Sequence, residues 1–251
     1  LFRSLGEGYA LHKQDIFVRK PFREENGGKR EYLSESYFRY FDGREYTDSL
    51  TYLTVTQEAQ KSRLFSFDNK RWRDFLVKIR KVQDQLKDTG VRAEFLTKEA
   101  ACEYIDRYFA MDFTHKTLSM NNFKVDEECV RMGDQKCKIF SLVDVDSINL
   151  PGLVRPFANI EVNNTRMPVD LMAAIDQIPE ARTVIYNQMI FIPNQKRELA
   201  LLEKKKNRHA SIPNPGNQMA VEDIKQVQEV MAREGKQLVY THYNLVVCCN
   251  N

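Results

Sequence analysis

Glycine and proline are scarce: ten and eight residues in a chain of 251, well under the roughly 12% of average proteins. Low-complexity linkers and glycine-rich phosphate loops are therefore rare from the outset. Net charge is nearly absent as well. Thirty-eight basic against 35 acidic side chains leave +3, so no global field gathers nucleic acid or anionic lipid, and any basic surface has to be local. No apolar run approaches the ~18 residues of a membrane helix, and the opening LFRSLGEGYALHKQD lacks the apolar stretch of a signal peptide.

Two nucleotide signatures are missing. A phosphate-binding loop needs Gly-x-x-x-x-Gly-Lys-Ser/Thr, because bare backbone N–H groups must approach the phosphates. Gly28-Lys29 has Arg23 in place of the first glycine and Arg30 after the lysine, while Gly235-Lys236 has Val230 and Gln237. Gly6 and Gly8 are followed by Leu11 rather than a third glycine, which removes the dinucleotide fingerprint. The five cysteines (Cys102, Cys129, Cys137, Cys248 and Cys249) have no Cys-x-x-Cys spacing, and the four histidines are scattered. A zinc site is not encoded, and a reducing compartment suits the pattern.

What is present is a hydrophobic share of 42%, enough for a core of ordinary size. His12 to Val18 reads as a strand. Glu35 to Thr56, dense in Tyr, Phe, Thr and Leu around Asp42-Gly43, reads as a hairpin. Asp68 can cap a helix whose Trp72, Phe75, Leu76, Ile79, Val82 and Leu86 form one stripe, with Gly90 as its stop. Trp72 begins that stripe, so core packing is expected of it rather than base stacking beside Arg71 and Arg73. Val91 to Leu96 reads as a short strand and Lys98 to Met111 as a second helix.

The polar run Thr114 to Asn122 is the expected boundary between two lobes, residues 1–113 and 123–251. Beyond it come a hairpin turning at Gly133-Asp134, a break at Pro151-Gly152, and a weak helix from Val169 to Ile178. A doubly buried strand is expected from Thr183 to Ile192, a charged helix from Gln195 to His209, a helix from Val221 to Glu234 and a long strand from Lys236 to Cys249. The expected class is α+β, with two lobes of mainly antiparallel or mixed sheet and packed helices in a split βαβ manner.

Catalytic candidates are few. Asp144 and Asp146 would share a strand face, but acidic residues at a strand end are ordinary turn residues. Asp112 with His115 could act as acid and orienter, though no nucleophile can be tied to them. The Cys248-Cys249 pair reads as packing at the end of an apolar strand. The most unusual surface feature is Lys196, Arg197, Lys204, Lys205, Lys206 and Arg208 on one helix, tempered by Glu198 and Glu203. It would suit a protein, membrane-surface or nucleic-acid contact, and its bland alternative is a solvated helix face.

HKQDIFV (His12 to Val18), SESYFRYFDG (Ser34 to Gly43), VRMGDQKCKIFSLVDVDSINLPG (Val130 to Gly152), IYNQMIFIPN (Ile185 to Asn194) and THYNLVV (Thr241 to Val247) together resemble one family. It is the TraG family of conjugative transposons, type IV secretion ATPases akin to the VirB, TrbE and CagE group. The resemblance covers the region that precedes the family's motor, so none of the motor's catalytic residues has a position here. Starting at Leu1 without Met and stopping at Asn251 after an apolar run, the chain reads as a piece of a longer protein.

The resemblance implies a non-catalytic docking and assembly domain that serves DNA transfer. It implies a cytoplasmic location peripheral to the inner membrane, and a homo-oligomeric full-length protein. The partners implied are the protein's own C-terminal ATPase domain, which alone would take ATP and Mg, and inner-membrane type IV secretion subunits. A nucleic-acid-binding module of the same apparatus, or an independent enzyme with an unrecognised site, is the alternative.

Overall fold

The computed structural model describes residues 2–21, 32–58, 69–118, 123–142, 157–162, 165–170, 175, 178–212 and 214–250. It is an α+β protein. Seven strands form one sheet in the order β2-β1-β8-β9-β5-β4-β3. They are β1 (Tyr9–Pro21), β2 (Glu45–Gln57), β3 (Lys124–Val125), β4 (Val130–Met132), β5 (Gln135–Ser141), β8 (Thr183–Ile192) and β9 (Tyr240–Asn250). Antiparallel pairs join β3 to β4, β4 to β5 and β5 to β9. The neighbours β1 and β8 also run antiparallel, since Gly8 N donates to Ile192 O while Arg19 N donates to Arg182 O. A separate antiparallel pair, β6 (Phe157–Val162) and β7 (Thr165–Asp170), stands outside that sheet.

The helices are α1 (Phe2–Leu5), α2 (Tyr32–Phe41), α3 (Asn69–Asp88), α4 (Lys98–Ala110), α5 (Gln195–Ala210) and α6 (Pro215–Glu234). Here the sequence reading needs correction. Residues 35–41, expected as the first arm of a hairpin, are helical. Their aromatic content suggests a strand, but the residues pair at helical spacing: Arg39 to Glu35 at 2.9 Å, and the rings of Tyr37 and Phe41 at 4.5 Å. Gly43, at φ +73°, then turns the chain into β2. Residues 91–96 form no strand. The Ala93 carbonyl accepts from Gln83 Nε2 of α3 at 2.8 Å instead of joining a ladder, and Val91, Phe95 and Leu96 stay exposed.

The helix expected from Val169 is strand at Val169 and Asp170, where β7 pairs with Ala158 and Phe157. Asp68, Pro151, Gly152 and most of 171–177 lie outside the described residues. α6 begins six residues before Val221, because Asn214 caps it by accepting from Asn217 N at 2.7 Å and Pro215 suits the first turn. Trp72 is exposed, stacked on Phe75 at 5.8 Å, at the N-terminal start of the α3 stripe rather than in the core.

The residues cluster into two compact units, and these do not follow the boundary expected at 114–122. One unit is built from Leu1–His12, Leu53–Phe95 and Gln188–His242, the other from Lys13–Tyr52, Leu96–Asn187 and Tyr243–Asn251. The reason is long-range pairing, since β1, β2, β8 and β9 each contribute residues to both. Thr114 to Leu118 belongs to the second unit.

The first unit has an apolar core of Leu5, Tyr9, Leu11, Val82 and Ile192, with Val55, Phe75 and Leu86 packed against it. Lys78 Nζ sits 4.3 Å from the centre of the Tyr9 ring and donates to Leu5 O at 2.6 Å, so its charge is satisfied at the core's edge.

The second core is Ile16, Val18, Met111, Phe113, Cys137, Ile185, Val246 and Cys248, edged by Tyr52, Tyr104, Tyr108 and Met132. A row of amides crosses three of its strands. Gln14 Nε2 donates to Asn187 Oδ1 at 2.7 Å, Asn187 Nδ2 donates to Asn244 Oδ1 at 2.7 Å, and the Tyr104 hydroxyl donates to Gln14 Oε1. Burial, with the neighbouring hydroxyls of Tyr108 and Tyr52, pushes the Tyr104 phenol up to about 12, so it remains a donor at any ordinary pH. Among the described residues no helix is long and apolar enough to cross a membrane.

Candidate functional site

The basic helix α5 is built as its sequence suggests. Asn194 caps it by accepting from Arg197 N at 2.9 Å, and Glu7 fixes that end by accepting from Asn194 Nδ2 at 2.7 Å and Gln195 N at 3.1 Å. Gln195 reaches across to the segment before β9, donating to Leu238 O and accepting from Leu238 N. Tyr240 donates to Glu198 at 2.5 Å.

The six basic residues do not share one face. At 100° per residue, Arg197, Lys204 and Arg208 fall in one stripe, Lys196 and Lys205 flank it, and Lys206 lies on the other side. The contacts agree: Lys206 Nζ donates to Glu203 at 2.6 Å and to Gln228 of α6 at 3.3 Å, and is partly buried. Lys196, Arg197, Lys204, Lys205 and Arg208 are exposed. Among the described residues, Lys196, Lys204, Lys205 and Arg208 make no ion pair with an acidic side chain. The result is a local cluster of five cations on a chain of net charge +3.

The second unit holds a cavity of about 140 Å³ whose polar lining includes Asp112, His115, Asp134, Gln135 and Arg182. The sequence brings Asp112 and His115 together by spacing, and the structure places His115 Nδ1 2.8 Å from Asp112 Oδ2. Asp134, Gln135 and Arg182 were not legible as partners, because the β4–β5 turn and the start of β8 bring them in from distant sequence. Gly133 sets the turn's approach. At φ +56° it packs so tightly that a Cβ would stand 2.0 Å from Ala110 O.

Burial works to raise the Asp112 carboxyl, yet the bonds it accepts from Thr114 and His115 outweigh that and hold it at about 2. Those bonds come from Thr114 N and Oγ1 at 2.9 Å each, His115 N at 3.1 Å and His115 Nδ1. Arg107 ties the same turn from outside by donating to the carbonyls of Asp112 and His115.

This geometry is that of a cap rather than a proton relay. In a relay the carboxylate and the nucleophile occupy different ring nitrogens, whereas Asp112 and the Thr114 hydroxyl, at 3.2 Å, both meet His115 Nδ1. Asp144 and Asp146 lie outside the described residues. Among the described residues no group of three metal-ligating side chains converges. The chain matches no protein-family model and no curated protein.

Proposed function

We propose that this chain is a docking and assembly domain of a TraG-type conjugative-transfer ATPase. In this reading it links a motor that binds ATP and Mg, carried elsewhere in the protein, to inner-membrane components of the secretion channel at the cytoplasmic surface. The five outward cations of α5 carry the reading. Each Lys or Arg near an anionic surface is worth about 1 kcal/mol, so a cluster of this size is enough to orient and retain a domain of little net charge. The resemblance in His12 to Val18, Val130 to Gly152 and Thr241 to Val247 supplies the family.

The test is recruitment of the full-length ATPase to inner-membrane fractions. Reversing Lys204, Lys205 and Arg208 to Glu is expected to weaken recruitment by about 3 kcal/mol, roughly a hundredfold, with an unchanged melting temperature. Lys206→Glu is the control. It sets like charges beside Glu203, so it lowers the melting temperature and affects recruitment less. Normal recruitment of the folded triple variant would return α5 to a solvated face.

A further inference from the structure

The second core contains two thiols that the sequence leaves 111 positions apart and the sheet sets side by side. Cys137 of β5 and Cys248 of β9 are direct partners in an antiparallel ladder. Both are fully buried and free. Opposed residues in such a ladder have Cα atoms about 4.5 or 5.5 Å apart, and both spacings fall inside the window a disulfide needs. Successive side chains alternate across a strand, so Cys249, opposite Lys136, points to the other face and is not a competitor. We infer that Cys137 and Cys248 form an oxidisable pair that closes to a reversible cross-strand disulfide when the protein meets a hydroperoxide.

The sulfur of Cys248 holds the Cys137 thiol below the ordinary cysteine range, against the effect of burial, while that of Cys137, with burial, pushes Cys248 up. Either thiol can attack first, and both orders give the same disulfide.

In one order, the Cys137 thiolate attacks one oxygen of hydrogen peroxide, forming an S–O bond as the O–O bond breaks. The expelled hydroxide takes up the proton that Cys137 released and leaves as water. Cys248, giving up its own proton, then attacks the sulfenic sulfur; the S–S bond forms as the S–O bond breaks, and the second oxygen departs as water. Two thiols and one peroxide thus give one disulfide and two waters.

Access comes through the end of the ladder. In the β5–β9 ladder only Lys136↔Cys249 and Gln135↔Asn250 lie beyond the pair, while Val130 of β4 flanks Cys137 and Arg182 N donates to Cys248 O, so peroxide reaches the thiols by local opening of this end of the sheet. Closure joins residues more than a hundred positions apart, the regime in which a crosslink restricts the unfolded chain most.

The experiment treats the protein with hydrogen peroxide, blocks free thiols with iodoacetamide under denaturing conditions, and maps the peptides without reduction. The expected product is one linked peptide pair containing Cys137 and Cys248, lighter by two hydrogen atoms. The expected rise in melting temperature is on the order of 10 °C, reversed by dithiothreitol. Cys248→Ser should stop at sulfenic acid on Cys137, trapped by dimedone, and Cys137→Ser should give no link. Should a serine variant fail to fold, the alkylation map of the parent protein still decides. Carbamidomethyl on both Cys137 and Cys248 after peroxide, or a link through Cys102, Cys129 or Cys249, overturns the inference.

Discussion

The two compact units solve the same problem with different chemistry. The first is sealed by aliphatic and ring contacts around Leu5, Val82 and Ile192, and its functional interest lies wholly on its surface, along α5. The second buries groups that can react or hydrogen-bond, two thiols and an amide row, and also holds the half-buried, capped carboxylate of Asp112. An apolar core tolerates repacking if volume is kept, whereas a polar one tolerates little, because each lost partner leaves another group stranded. The groups with reactive side chains therefore lie in the second unit, and the exposed cations of α5 in the first.

Substitutions can break that contrast, beginning with the largest effect. Ile192→Ala removes a buried aliphatic side chain and should destabilise by about 3 kcal/mol through lost burial and a cavity. Ile192→Val should recover most of it. Chemical denaturation of both would show whether volume is what the first core requires. Asn187→Leu, close in size, leaves Gln14 Nε2 and Asn244 Oδ1 without that partner and should cost about 2 kcal/mol. A neutral result would mean that the second core, too, is held by volume alone.

The smallest effect sharpens the comparison by pH. Asp112→Asn should cost about 1 kcal/mol at neutral pH, once the screening of a partly exposed group is allowed for. The folded carboxyl lies at about 2, below its usual 3.8. The parent's advantage is therefore full above pH 4 or so and is lost as pH falls toward about 2. Melting curves of parent and variant should converge over that window. A constant gap would assign the effect to packing.

Much of this was legible in the sequence. The α3 stripe and β8, bounded by Pro193, follow from spacing and punctuation, and Asp112 with His115 from being three apart. α2 was misread because its aromatic residues favour strands while its pairs sit at helical spacing. The split of the basic residues could have been found by projecting them at 100° each, which sets Lys206 apart from Arg197, Lys204 and Arg208. Neither the lining from Asp134, Gln135 and Arg182 nor the Cys137–Cys248 pairing carries a local signal, because each depends on the register of strands far apart in the chain.

The amide row through Gln14, Asn187 and Asn244 reaches beyond its hydrogen bonds. It works like the wards of a lock. The three strands it crosses come from distant parts of the chain, and a slip of two residues in any of them would keep every side chain on its face but set an amide against an aliphatic neighbour. The apolar neighbours could accept such a slip. Ile16, Ile185 and Val246 are similar enough in bulk to exchange places, but the buried amides of Gln14 and Asn187, once half-paired, cannot be repaired by bulk. Selection among near-native pairings thus rests largely on three polar side chains, and a variant with all three made aliphatic and Tyr104→Phe, which removes the hydroxyl that Gln14 accepts from, should gain alternative registers before it loses melting temperature.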